Sequence, residues 1–123
     1  MSWTWVAQSI RRVVRDGGIV GKVAALYIAA GYDVKLNYET PVGKLGFLAR
    51  KRGEAIAVDV YSNIKDVSED SLRSLVEKAK HANAKPVLVI YGSLRIPREL
   101  AELARKFNVK LKRVKPYSKI KPH

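Results

Sequence analysis

The 123-residue sequence contains no cysteine, only two histidines and few acidic residues. Without cysteine, disulfide bonds and thiolate metal sites are excluded, and His81 and His123 are too few for a histidine-rich metal site. The most apolar run, at 23–30, is far shorter than the roughly 20 residues that cross a bilayer. At the N-terminus the charges follow the apolar residues, the reverse of a secretory signal. These absences predict a cytoplasmic protein without a membrane partner.

The shortage of acids leaves a large excess of positive charge. The chain has 24 lysines and arginines against 11 aspartates and glutamates, a net charge of +13. Residues 1–52 hold nine basic and three acidic residues, and residues 110–123 hold six basic residues and no acid. Such an excess favours a polyanionic partner, most simply nucleic acid, and DNA before RNA. Charge that serves only solubility is the alternative.

The candidate phosphate-binding residues lie in the N-terminal half, at a predicted hairpin tip and near the C-terminus. They are Arg11, Arg12, Arg15, Lys44, Arg50, Lys51, Arg52, Lys110, Lys112, Arg113 and Lys115. Trp3 and Trp5 are expected to pack on the domain or a second subunit rather than on bases. Because no zinc finger, RNP-type motif or helix-turn-helix is evident, we expect phosphate contacts without base readout.

Hydrophobic periodicity predicts helices and strands in a definite order, α-α-β-β-β-α-β-α-β. Helices are predicted from a cap at Ser2 or Thr4 to about 16, at 19–30, from 66 or 68 to 83, and at 97–107; strands are predicted at 33–39, 44–51, 54–62, 86–92 and 109–114. An antiparallel hairpin followed by helix-linked parallel strands gives a mixed α/β sheet flanked by helices. One domain is predicted over 1–114, followed by a basic tail over 115–123.

The stretch GEAIAVDVYSN at 53–63 places Asp59 near the end of an apolar strand. With the order of elements, this stretch resembles the restriction-endonuclease-like superfamily, the PD-(D/E)XK nucleases, over residues 19–114. Archaeal Holliday junction resolvases and Mrr-type endonucleases are the most similar in pattern. The resemblance implies catalytic positions at Val20, Gly46, Asp59 and Tyr61, where the family carries a glutamate, two acids and a lysine. Only Asp59 keeps a residue of the expected type.

One aspartate is too little to hold a catalytic magnesium ion, and a tyrosine is a poor substitute for the lysine. We therefore predict a nucleic-acid-binding protein of nuclease fold with a degenerate site and no cofactor. Asp59 is then an acid paired with a nearby lysine or arginine. The resemblance also implies a homodimer.

Three alternatives stay open. A divergent endonuclease that uses Mg²⁺ or Mn²⁺ would recruit Lys44 or Lys65 and a second acid, Glu39 or Glu54. A non-catalytic subunit of a larger nucleoprotein complex would have a protein partner. The segments 27–34 and 68–92 also resemble the C-terminal domain of archaeal tRNA-splicing endonucleases, although His81 lies in a predicted helix and does not match their catalytic histidine.

Overall fold

The computed structural model describes residues 3–92 and 95–115, without the side chains of residues 3–6, 13 and 16. The helices are α1 (Trp3–Ala29), α2 (Glu69–His81) and α3 (Arg98–Lys106), and a 3-10 turn covers Ile64–Asp66. The strands are β1 (Asp33–Leu36), β2 (Glu39–Thr40), β3 (Gly43–Lys44), β4 (Phe47–Lys51), β5 (Glu54–Tyr61), β6 (Lys85–Tyr91) and β7 (Lys110–Val114).

Five strands form the central sheet in the order β1-β4-β5-β6-β7. The pairs β1–β4 and β4–β5 are antiparallel, and Arg52 and Gly53 connect β4 to β5. The helix-linked pairs β5–β6 and β6–β7 are parallel. The predicted mixed sheet flanked by helices is confirmed.

Helices cover both faces of this sheet. On one face, Val23 and Ala24 of α1 pack with Phe47, Val58 and Val89. On the other face, α2 and α3 pack through residues such as Leu72, Leu75 and Leu100 against alternate residues of the strands, including Leu48, Ala57 and Leu88. Because successive strand residues point to opposite faces, β5 contributes to both cores.

The central sheet has two ends, which differ in the strands that begin and terminate there. At the carboxyl end, β5, β6 and β7 terminate, while β4 begins, since Phe47 pairs with Val58. At the opposite end, here called the hairpin end, Arg52 and Gly53 connect β4 to β5 and β7 begins. Helix α1 runs between the two ends: Gly17 lies beside Leu36, whereas Ala30 accepts a hydrogen bond from Lys51.

The strands predicted at 33–39 and 44–51 are each interrupted, so their predicted bounds were wrong. The strand predicted at 33–39 ends at Leu36, because Asn37 has a left-handed backbone with φ of 52°. The chain then forms β2 and β3, which pair with each other through Glu39–Lys44 and Thr40–Gly43. Residues 41 and 42 close this hairpin, which we call the arm (residues 39–44). Leu45 and Gly46 separate the arm from β4.

The two predicted N-terminal helices form α1 with a break at the predicted position. Gly18 has φ of 59° and ψ of −140°, which interrupts the helical backbone. Residues with side chains rarely adopt such angles, so the glycine determines the change in direction. The two halves of α1 therefore have different axes.

In the described part of the chain, no helix is both long enough and apolar enough to cross a bilayer. The predicted tail lies outside the described residues beyond Lys115, as do the side chains of Trp3 and Trp5.

Candidate functional site

Asp59 is buried between three backbone segments, with only 7% of its surface exposed. Its Oδ1 accepts a hydrogen bond of 2.9 Å from the Gly46 backbone N–H. Its Oδ2 lies 2.8 Å from Nζ of Lys78, and that ammonium also donates to the Lys44 backbone oxygen at 3.0 Å. Lys78 is buried as well, so the aspartate forms a buried, hydrogen-bonded ion pair with a residue of α2.

Three of the four positions implied by the resemblance come together. A Cβ built on Gly46 would lie 3.5 Å from Cγ1 of Val20 and 3.7 Å from Cα of Asp59. The same Cβ would lie only 2.9 Å from the Val58 backbone oxygen. An aspartate or glutamate at position 46 would therefore require the backbone of β4 or β5 to move.

Tyr61 lies two residues beyond Asp59 on β5, and it packs against the apolar cluster beneath α2 and α3. Its position on the same strand face follows from the period of two. It adds a largely apolar ring beside the acid rather than a second charge.

The residues considered for a rebuilt metal site lie elsewhere. Nζ of Lys44 is 3.9 Å from Oε2 of Glu39 on the exposed arm. Glu54 lies at the hairpin end, 3.6 Å from Nζ of Lys85. Lys65 is exposed in the 3-10 turn. Neither of the two acids considered, Glu39 and Glu54, hydrogen-bonds with the groups around Asp59 in the described part of the chain.

This donor set does not fit a divalent cation. Magnesium and calcium sites in proteins are built from several oxygen ligands. Both oxygens of Asp59 are already hydrogen-bonded, one of them to an ammonium, which repels a second cation at that distance. Among the described residues, no group of three acidic or histidine side chains could hold a metal ion.

Lys78 was missed by the sequence reasoning, although the sequence held a signal for it. It follows Leu75 by three residues and precedes Ala79, so it lies on the apolar side of α2 that also includes Leu72. A lysine at such a position is costly to bury unless an anion pairs with it. The pattern indicated a buried partner but not which acid, because Asp59 is 19 residues away.

The first cluster of predicted phosphate-binding residues lies on the N-terminal half of α1. Gln8, Arg11, Arg12 and Arg15 line a groove of about 290 Å³, which we call the arginine groove. All four residues are exposed. Their spacing puts them on one side of the helix.

The second cluster, at the hairpin end, is only partly available. Arg50 and Arg52 are exposed, but Lys51 folds back onto α1. Its Nζ donates to the Ala30 backbone oxygen at 2.7 Å and lies 5.3 Å from the centre of the Tyr32 ring. Lys51 is therefore half-buried at the tip, because a carbonyl and an aromatic face hold its side chain.

The third cluster follows the edge strand β7. Lys110 and Lys112 are exposed, and Nζ of Lys112 lies 5.6 Å from the centre of the Tyr27 ring. Burial, together with the nearby Tyr32, raises the pKa of Tyr27, so this ring stays neutral beneath the lysine. Arg113 and Lys115 make contacts of their own. Lysines on an edge strand also discourage pairing with other chains, which gives them a purely structural role.

These clusters do not form one surface. The arginine groove is attached at the carboxyl end, since Gly17 lies beside Leu36. The hairpin tip lies at the hairpin end, where Lys110 starts β7 beside Val87. The structure also brings Lys85 and the last turn of α3, with Arg105 and Lys106, to that end. Sequence reasoning did not group these residues, because they belong to separate elements.

Comparisons with known proteins give the fold and nothing on function. No family model matches the chain, and no curated protein matches it. A solved structure described as a protein of unknown function, AF1548, is similar with a TM-score of 0.58 at 14% identity. The match covers 82% of this chain and 58% of that one, so the chain spans less than two thirds of that protein.

Proposed function

We propose that this chain is a nucleic-acid-binding protein of restriction-endonuclease-like fold that binds phosphates through its basic surface without cleaving them. The expected partner is DNA, with RNA as the alternative, and the expected location is the cytoplasm. The observation that carries the proposal is the pairing of Asp59 with Lys78 inside a chain with a net charge of +13.

The charge supports binding. Arg11, Arg12 and Arg15 are exposed side by side, and the described residues that line their groove include no acid. Guanidinium groups make paired hydrogen bonds to phosphate oxygens, and a row of them neutralises successive phosphates. The chain has no described feature that reads bases, so we expect binding with little sequence preference.

The ion pair supports the absence of cleavage. Metal-dependent phosphodiester hydrolysis needs carboxylates that hold a divalent cation against the phosphate. Here an ammonium lies beside Asp59 where such a cation would bind, and the close approach of Gly46 to Val58 leaves no space for an acid at position 46. The expected family chemistry therefore lacks its ligands.

A binding and cleavage panel tests the proposal. Labelled duplex, junction, single-stranded DNA and RNA are incubated with the protein at two salt concentrations, with and without Mn²⁺. We expect binding that weakens steeply with salt and intact substrates in every lane. Undetectable binding to all of these substrates contradicts the proposal.

One observation favours a divergent endonuclease as the second candidate. Asp59 and Lys78 bring an acid and a lysine together, the lysine coming from α2 rather than β5. Cleavage that requires Mn²⁺ and disappears in both Asp59→Asn and Lys78→Met would establish this alternative. Capture of a protein partner from nuclease-treated lysate, with no affinity for nucleic acid, would instead indicate a subunit of a larger complex.

A further inference from the structure

A second groove, distinct from the arginine groove, lies where α3 turns into β7. It has a volume of about 390 Å³ and is lined by Ala101, Ala104, Arg105, Asn108, Val109, Lys110 and Leu111. We call it the turn groove. Asn108 adopts a left-handed backbone with φ of 61°, which lets the chain reverse between the helix and the strand. Arg105 and Lys110 therefore lie on either side of the same tight turn.

The two grooves share the same kind of polar lining. The arginine groove combines three guanidinium groups with the carboxamide of Gln8. The turn groove combines Arg105 and Lys110 with the carboxamide of Asn108. Among the described residues that line either groove there is no carboxylate, and Arg15 also makes a contact of its own. Cationic side chains and amide N–H groups are both donors that bind phosphodiester oxygens.

The grooves lie toward opposite ends of the sheet. The arginine groove precedes Gly17, which contacts Leu36 at the carboxyl end. The turn groove lies at the hairpin end, where Lys110 pairs in register with Val87. Strand β5, with 8 residues, connects the two ends over roughly 25 Å at about 3.3 Å per residue. The two grooves therefore belong to separate elements, which are anchored toward opposite ends of the sheet.

Other cations lie at the same end of the sheet as the turn groove. Arg50 and Arg52 are on the β4–β5 hairpin, which β6 separates from β7, and both are exposed. Lys106 is exposed in the last turn of α3. Basic residues at the C-terminus of a helix also balance its dipole, which alone accounts for part of their presence. That role does not require a groove, and it does not explain the cations of the hairpin.

We propose that the arginine groove and the turn groove each bind a separate stretch of phosphate backbone, so that one molecule holds two nucleic-acid segments together. The inference rests on the proposed nucleic-acid binding and adds its geometry. The occupants are two duplex segments, because charge is the feature common to both grooves and the described residues that line them include no aromatic platform for unstacked bases.

The test uses the full-length chain and two short DNA duplexes, one labelled with a donor and one with an acceptor fluorophore. We expect energy transfer between the duplexes when protein is added, with two duplexes bound per chain at saturation. The double variants Arg11→Glu/Arg12→Glu and Arg105→Glu/Lys110→Glu should each still bind one duplex but lose the transfer. Each reversal should weaken overall duplex binding by roughly tenfold at fixed salt, since two phosphate contacts are replaced by repulsion.

The matched control reverses the same amount of charge outside both grooves, in Lys35→Glu/Lys65→Glu. Both lysines are exposed, and this variant should keep the energy transfer. One bound duplex per chain without transfer overturns the two-groove proposal while leaving nucleic-acid binding intact. A dimer that binds one duplex per chain would also bring two duplexes together. Charge reversal at the turn groove would then leave the energy transfer unchanged, and that result also overturns the two-groove proposal. Absence of any binding overturns both proposals.

Discussion

At the scale of single residues, Asp59 is stabilised by groups that come from three different segments. The Gly46 backbone N–H binds one oxygen, Lys78 binds the other, and Lys78 is itself held by the Lys44 carbonyl. Every polar atom of this buried pair thus has a partner, and no buried side-chain nitrogen or oxygen of the described residues lacks one. The pair connects α2, β5 and the segment between the arm and β4.

We predict that Lys78→Met lowers the free energy of unfolding by about 3 to 5 kcal/mol, because it leaves the charge of Asp59 buried without its partner. Asp59→Asn should cost a similar amount. The double variant should cost clearly less than the sum of the two, since neither charge is then left alone. Urea denaturation of the four proteins measures these differences.

The control for these substitutions is the exposed ion pair of Lys85 and Glu54, in which Nζ of the lysine lies 3.6 Å from Oε2 of the glutamate. Lys85→Met should change the free energy of unfolding by less than about 1 kcal/mol, because water screens the pair. Additive effects at Asp59 and Lys78 would contradict the proposed coupling.

Gly46 gives a second prediction at this scale. Gly46→Ala should destabilise the protein by roughly 1 to 3 kcal/mol, because its Cβ would lie 2.9 Å from the Val58 backbone oxygen, which cannot move without the strand. The control is Gly17→Ala, where the Cβ meets only Cδ1 of Leu36 at 3.4 Å, inside a helix that favours alanine. Thermal unfolding compares the two, and equal stability of both variants would argue against the close approach.

At the scale of elements, the break in α1 decides where the arginine groove lies. The helix would continue straight if Gly18 took helical angles, and Gln8, Arg11, Arg12 and Arg15 would then point along a different axis. Nothing lies within 4 Å of a Cβ built at Gly18, so only the backbone angles resist a side chain there.

We predict that Gly18→Ala lowers stability by about 1 to 3 kcal/mol or straightens α1, because alanine rarely adopts a φ of 59°. If the helix straightens, duplex binding should also weaken relative to Gly17→Ala, since the groove is displaced. Circular dichroism and a binding titration follow the two effects. A variant with unchanged stability, helicity and affinity would show that the break is unimportant.

At the scale of the whole molecule, the distribution of charge matters more than its total. The net charge of +13 sets a long-range attraction for phosphates, but the folded chain divides the cations between two ends of the sheet. Some are already engaged within the protein, as Lys51 and Lys78 show. We therefore expect fewer phosphate contacts than there are basic residues.

We predict that the logarithm of the duplex-binding constant falls linearly with the logarithm of salt concentration, at about 0.9 per phosphate contacted. Arg11→Ala/Arg12→Ala should reduce that slope by roughly 2, because two contacts are lost. The control Lys35→Ala/Lys65→Ala should leave the slope nearly unchanged. Titrations at several salt concentrations measure it, and equal slopes for both double variants would contradict the role of the arginine groove.

Much of the architecture could be predicted because its signals are local. The apolar run of β6 indicated a strand covered on both faces, and the glycines at 17 and 18 indicated where the helix breaks. The interruption at Asn37 was missed, because polar and apolar residues continue to alternate through Tyr38 while the backbone turns. The pairing of Asp59 with a basic residue was proposed, but its partner on α2 was not identified.

The sequence by itself determined the order of helices and strands, the excess of positive charge and the residue types at the four positions that the resemblance implies, since all of these depend on residue type and spacing. Only the tertiary structure decided that Lys78 neutralises Asp59, that Lys51 packs on α1 and that the basic clusters lie at opposite ends. The physical reason is that ion pairs and surfaces form between groups close in space. Lys78 reaches Asp59 across 19 residues of chain and the Lys44 carbonyl across 34.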